Sequence, residues 1–384
     1  MSAITTKKES IHFLYFAIKR VWMAAGASEE HAHYVAHGIT FAHKQGKINQ
    51  GLGSYEAIDI ALQMGMMDMQ STPEVVDEGP NWGMVDGHRS SGYYTLNIMA
   101  DLAIEKARDT GIAIVFGCNH NDAGCFGSYV YKAFEHDMMG TASSNGPPLV
   151  APFGGMENRL SCPPFDSIVP TGSKPPIWVG TAIGEFHDAD VAEAAIFNKP
   201  IKGGKVLIDP ETGELTDDVK PYAVPLEGYG RIYDCTAASQ IINPRTYAMN
   251  MWSEAMTAII NPRGVPVSSM PSLDEIMNTD IKSTSAGGSY FMCINPSVFG
   301  SLDAVKKRSD DYVEFIEACP PRPGHSVRVP GSKGYKFIQQ NDEIVEVMTN
   351  HWDPFFINIA GRYGLSETQL REEFEADKTH SKEE

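Results

Sequence analysis

Gly111-Ile112-Ala113-Ile114-Val115-Phe116-Gly117-Cys118-Asn119-His120-Asn121-Asp122-Ala123-Gly124-Cys125 is the stretch on which the fold turns. Gly111 closes the amphipathic pattern that precedes it. Ile112–Phe116 is an apolar, β-branched run short enough to be a buried strand. The residues after it are polar and glycine-bearing, as expected of a turn at a sheet edge, where functional side chains concentrate. Within that turn His120 is the group able to exchange a proton near neutral pH. An ordinary turn histidine bonded to backbone is the competing reading.

Working outward, the first third reads as mostly helical. Ile11, Leu14, Tyr15, Ile18, Val21, Trp22 and Ala25 follow helical spacing, and Gly26 stops the run. Ser28 caps a second helix with Glu29 and Glu30 in its first turn, running to about His43. Ser54 opens a third helix, and a fourth through Leu96, Met99, Leu102, Ala103 and Ala107 ends at Gly111. Beyond the His120 turn a helix is expected from about Phe126 to Asp137. The Pro- and Gly-dense residues 146–176 then predict short strands and loops. Residues 206–215 read as a turn between strands, 245–260 as a helix and Tyr290–Ile294 as a buried strand. Ser301 caps a last amphipathic helix, and the charged tail after about Glu372 is expected to fray.

The chain has 384 residues, 42% hydrophobic and 21% charged, with a net charge of -18. That charge argues against nucleic acid or an anionic membrane as a partner. The first nine residues lack the apolar core of a secretory signal, and no apolar run reaches the roughly 18 residues of a membrane span. Cys118, Cys125, Cys162, Cys235, Cys293 and Cys319 are scattered without a C-x-x-C pair, which reads as reduced thiols of a cytoplasmic protein. Cys118, His120 and Cys125 lack a fourth nearby ligand, so no metal site is expected. In Glu185-Phe186-His187-Asp188-Ala189-Asp190, Asp188 reads as a helix cap rather than a ligand.

Several strings occur together in order: Val85-Asp86-Gly87, Ala103-Ile104-Glu105-Lys106-Ala107-Arg108, Gly111-Ile112, Asn119-His120, Ser144-Asn145, Val150-Ala151-Pro152-Phe153-Gly154-Gly155, Gly288 through Gly300, and Val329-Pro330-Gly331. In this the chain resembles the malate/L-lactate dehydrogenase family, which also holds ureidoglycolate, sulfolactate and diketogulonate dehydrogenases and the cyclic-imine reductase of pipecolate metabolism. The resemblance covers roughly residues 8–370 and marks the chain as a divergent member. It implies an α/β (α+β) protein: a helical N-terminal region plus a mixed-sheet, non-Rossmann cofactor-binding domain. The chain indeed has no G-x-G-x-x-G string. It further implies a discontinuous helical, substrate and dimerisation domain (1–118 with 305–384), a cofactor domain (119–304), a homodimer, and NAD or NADP as cofactor.

By the same resemblance His120 is the acid/base for hydride transfer to or from a small 2-oxo/2-hydroxy acid, carbonyl or imine substrate. Ser144, Asn145, Gly146, Thr181, Gly288 and Ser289 match cofactor-contacting strings. The family's Ser-His-Gly falls on Asn49-Gln50-Gly51, so Gln50 and Asn49 can orient a substrate while Gln50 cannot give it a proton. A family arginine falls on Phe116, an amide is lost around Pro163, and a carboxylate is lost near Gly180. The Gly-His-Lys-Gly string has no counterpart beyond nearby Glu227-Gly228-Tyr229-Gly230. These departures leave two alternatives open: a repurposed member with a lyase or hydratase step, and a non-catalytic homologue.

Overall fold

The computed structural model describes residues 5–184, 190–191, 194–195, 200–201, 204–209, 211–220, 239–340 and 343–380. The strands are β1 (Thr6–Ser10), β2 (Glu74–Gly79), β3 (Trp82–Asp86), β4 (Ile112–Cys118), β5 (Met139–Ser144), β6 (Val150–Ala151), β7 (Pro164–Val169), β8 (Ile177–Ala182), β9 (Leu207–Ile208), β10 (Leu215–Thr216), β11 (Ser239–Gln240), β12 (Ser289–Ile294) and β13 (Ile344–Met348). Five helices precede the middle of the chain: α1 (Ile11–Ala24), α2 (Glu29–Lys44), α3 (Tyr55–Gln63), α4 (Gly92–Thr110) and α5 (Gly127–Glu135).

The main sheet has the order β2-β3-β4-β12-β5-β7-β8. Only β3 and β4 run parallel, with α4 as their crossover; the other pairs are antiparallel. This is a mixed sheet in an α/β protein, not the doubly wound parallel sheet of a Rossmann domain. β4 and β12 are hydrogen-bonded neighbours, so strands from either side of residue 118 share the sheet. A second core lies at the N-terminus. There Phe13, Leu14, Ile18, Val21 and Trp22 of α1 pack with Trp352, Phe355, Phe356 and Leu370 from the C-terminal segment. β1 pairs with β13 and closes that core. A small four-stranded sheet, β10-β9-β11-β6, stands apart.

Local chemistry accounts for the helix limits. Ser10, Ser28 and Ser91 each accept the backbone N–H three residues on, supplying bonds that the first helical turn lacks. Gly26 and Gly111 leave their helices at φ of 102° and 80°, a region that side chains resist. The first third is mostly helical, as expected, and also contains the β2–β3 hairpin. One expectation needs correction. The tail is not frayed from Glu372: residues Glu367–His380 form a helix. Leu370 and Phe374 of that helix enter the N-terminal core, and Arg371 pairs with Glu9 at 2.6 Å. The expected cap at Asp188 and the Glu227–Gly230 string lie outside the described residues, as does Cys235.

Val329-Pro330-Gly331 proves to be a packing motif. Pro330 O accepts the Trp178 backbone N–H at 3.3 Å, and Gly331 has φ of 82°. A Cβ there would overlap the Cβ and carbonyl of buried Trp178, which leaves glycine as the residue that fits.

Candidate active site

The end of β4 sets the site. Asn119 takes φ of 53°, a left-handed conformation that asparagine tolerates better than most residues. Its Nδ2 donates to Asp86 Oδ1 at 2.9 Å, and Asp86 Oδ1 also accepts the His88 N–H at 2.8 Å. A Cβ on Gly87 would come within 2.8 Å of His120 Cβ and Asn119 O. The Val85-Asp86-Gly87 string is thus the mould for the His120 turn. Asn121 Nδ2 donates to Arg89 O at 3.0 Å, while its Oδ1 accepts the Ser285 N–H at 3.2 Å.

His120 is fully buried. One ring nitrogen, Nδ1, lies 2.9 Å from Asn121 O; the other, Nε2, lies 2.9 Å from Ser289 Oγ. A carbonyl only accepts, so Nδ1 carries the hydrogen and the neutral ring presents a bare Nε2 to the Ser289 hydroxyl. Burial pushes the imidazole down to about 4, against a smaller opposing pull from the Asn121 carbonyl. At neutral pH His120 is therefore a base, not an acid.

Ser289 starts β12 and faces Ser144 of β5 and Gly117 of β4 across the sheet. His120, Ser144, Asn145, Gly288 and Ser289 therefore cluster at one end of the sheet. Thr181 stands in the neighbouring row, reached through Phe165, Ser143 and Tyr290. Asn145 is fully engaged: Nδ2 donates to Glu254 Oε1 at 3.2 Å and Val265 O at 3.0 Å, and Oδ1 accepts the Gly288 N–H at 2.7 Å. Gly288 packs against the Thr257 carbonyl, where a Cβ would overlap it. Gly146 is partly exposed and Thr181 exposed. Asn49 and Gln50 lie in a short 3-10 turn, Ile48–Gln50, and both are half-buried. Phe116 sits inside β4 opposite Tyr290 rather than in the turn.

Sequence reasoning missed the helix Pro244–Glu254 as a polar wall packed against β5. Asn250 and Glu254, one turn apart, are both buried on it. Ser253 Oγ meets Ser143 Oγ at 2.8 Å and ties the helix to β5. Glu254 Oε2, Asn250 Oδ1 and Ser161 Oγ are buried with no hydrogen-bond partner among the described residues. Leaving such atoms unmatched costs about 1–3 kcal/mol each. Burial is the larger influence on Glu254 and holds its carboxyl above the ordinary value, against the Val267 N–H and Asn145. The signal was present in the sequence as polar residues at helical spacing, but nothing local said which side faced the sheet.

Known proteins share both the pattern and the fold. The profile of the malate/L-lactate dehydrogenase family matches residues 11–354. The malate dehydrogenase of Pyrococcus horikoshii is 26% identical over 333 residues, 84% of this chain and 86% of the relative. The L-sulfolactate dehydrogenase of Methanocaldococcus jannaschii is 27% identical over 306 residues, 80% and 83% of the two chains. The NAD(+) ureidoglycolate dehydrogenase of Escherichia coli K12 is 22% identical over 343 residues, 88% and 90% of the two chains. Among solved structures, the sulfolactate dehydrogenase from M. jannaschii superposes with a TM-score of 0.80 at 22% identity, covering 94% of this chain and 98% of the other. The P. horikoshii malate dehydrogenase gives 0.77 at 21%, covering 95% and 99%. With Val85-Asp86-Gly87, Asn119-His120, Ser144-Asn145 and Gly288 brought to one sheet end, and its profile matched along most of its length, this chain belongs to the malate/L-lactate dehydrogenase family.

Proposed function

We propose that this protein is a nicotinamide-dependent oxidoreductase that moves a hydride between NAD or NADP and C2 of a small 2-hydroxy or 2-oxo acid. The family match over residues 11–354 carries the reading. The named substrates of the relatives, malate, sulfolactate and ureidoglycolate, share a carboxylate beside a carbinol carbon.

A bound nicotinamide supplies or accepts the hydride. The unmatched Glu254 Oε2 and Asn250 Oδ1 fit donors such as a carboxamide or ribose hydroxyls, and Ser161 Oγ fits either a donor or an acceptor. Ser144, Asn145, Gly146, Thr181, Gly288 and Ser289 frame that wall. His120 Nε2, bare at neutral pH, takes the proton of a substrate hydroxyl that replaces Ser289 Oγ, and returns it in the reverse direction. Asn49 and Gln50 orient the substrate without titrating. Within this proposal residues 119–304 carry the cofactor, and residues 1–118 with 305–384 carry substrate and dimer contacts in a cytoplasmic homodimer. Among the described residues no helix is long and apolar enough to cross a membrane.

Fluorescence titration with NADH and with NADPH tests the reading. Saturable binding of at least one is expected, and the tighter of the two identifies the cofactor. Binding of neither would overturn the redox reading and favour a non-redox step on the same scaffold.

A further inference from the structure

The His120 ring has two hydrogen-bond partners, and one neighbouring residue bears on both. Asn121 is fully buried. Its Nδ2 donates to Arg89 O at 3.0 Å and lies 3.3 Å from Met66 O and Ser90 O. Its Oδ1 accepts the Ser285 N–H at 3.2 Å. The amide therefore ties the His120 turn to the segment before α4, to the Met66 carbonyl beyond α3, and to the loop that leads into β12.

The first ring partner is the carbonyl of Asn121 itself, 2.9 Å from His120 Nδ1. Its peptide lies in a tight seat. The Arg89 N–H donates to Asn119 O at 2.8 Å, the Asn121 N–H to Ser90 O at 3.0 Å, and the Gly92 N–H to Asp122 O at 2.9 Å. A Cβ on Gly92 would overlap Asn121 O, so that carbonyl is also packed from the side of α4. The second ring partner, Ser289, is placed by the loop that Asn121 Oδ1 holds. In that loop the Ala286 N–H donates to His120 O at 3.3 Å, and Ser289 follows at the start of β12.

The two partners are not equivalent. The Ser289 hydroxyl can give or accept a hydrogen bond, so it suits either tautomer of the ring, whereas the Asn121 carbonyl only accepts. Among the described residues no other group bonds the ring. The hydrogen therefore stays on Nδ1 only while Asn121 O stays against that nitrogen.

We propose that Asn121 is a positioning residue. Its buried amide holds Asn121 O on His120 Nδ1 and the Ser285–Ser289 loop beside Nε2, and so keeps His120 in the tautomer that leaves Nε2 bare. The proposal rests on the oxidoreductase reading for the use made of Nε2, but not for the tautomer itself.

Nitrogen NMR of protein carrying isotope-labelled histidine reads the tautomer directly, with His120→Asn assigning the signals. Wild type should show a hydrogen-bearing Nδ1 and a bare Nε2. In Asn121→Ala the two signals should move toward each other as the hydrogen is shared between the nitrogens. The kcat for malate oxidation should fall by about 10- to 100-fold, the cost of a displaced reacting group, while KM and the NADH dissociation constant stay within about twofold. Gly92→Ala crowds Asn121 O and leaves the amide intact, so it should mix the tautomers too; it serves if Asn121→Ala does not fold. Mixed tautomers in the variants of a protein that oxidises no 2-hydroxy acid would leave the positioning role standing and sink the oxidoreductase reading. A hydrogen on Nε2 in wild type would overturn the proposal. So would a folded Asn121→Ala protein that keeps the single Nδ1–H tautomer, whatever its turnover.

Discussion

The His120→Asn enzyme is expected to fold and bind nicotinamide cofactor but to lose about 10²- to 10⁴-fold in turnover, the usual worth of a positioned acid/base. Asparagine keeps a donor for the Asn121 carbonyl, which His120 Nδ1 serves at 2.9 Å, so the turn loses no bond there. What it removes is the bare nitrogen beside Ser289 Oγ. Ser289 retains Met99 Sδ at 3.5 Å as a second partner. The direction of reaction should matter in wild type. His120 is neutral until the pH approaches about 4, so 2-oxo acid reduction, which needs its proton, should speed up as the medium is made more acidic. Turnover near wild type in a folded His120→Asn protein would make His120 a structural turn histidine.

Acid should unfold this protein steeply, at about 3 kcal/mol of lost stability per pH unit between about pH 6 and about pH 4. His31, His43 and His120 are buried, and burial pushes each from 6.5 down to about 4. The unfolded chain therefore takes up protons on all three across that window, while the native chain does not, and stability falls with pH. Asp166 works the other way. Burial raises it from 3.8 to about 6, above the pull of Lys47 and Trp178, so the native chain holds a proton that the unfolded chain releases. One carboxyl against three imidazoles leaves a net uptake of two protons on unfolding. His37, also brought to about 4 chiefly by burial, adds in the same direction. Urea midpoints measured across that range should fall steadily, and a flat series would contradict the buried neutral imidazoles.

Local chemistry was legible in the sequence; placement across the sheet was not. Ser28, Gly111 and the run Ile112–Phe116 announce themselves because caps, left-handed glycines and apolar strands depend on near neighbours. The hairpin of β2 and β3 did not. Glu74–Gly79 is buried on neither face, and β3 gains its meaning only by lying parallel to β4. The C-terminal helix looked like a charged tail because its anchors, Leu370, Phe374 and the Arg371–Glu9 pair, find their partners more than 350 residues away. His120 was legible as a candidate. Its burial and its Ser289 partner, 169 positions away, were not. Asn121 and Ser285 meet only after β12 pairs with β4, so no window of sequence contains them both.

The central claim is hydride transfer between a nicotinamide and C2 of a small acid. Its most direct test is mass spectrometry of the product formed from a 2-oxo acid and NADH or NADPH deuterated at the transferring C4 position. The account predicts a 2-hydroxy acid carrying the deuterium at C2, with matching loss of reduced cofactor. Consumption of the 2-oxo acid without deuterium in the product, or no change in either partner, would contradict it.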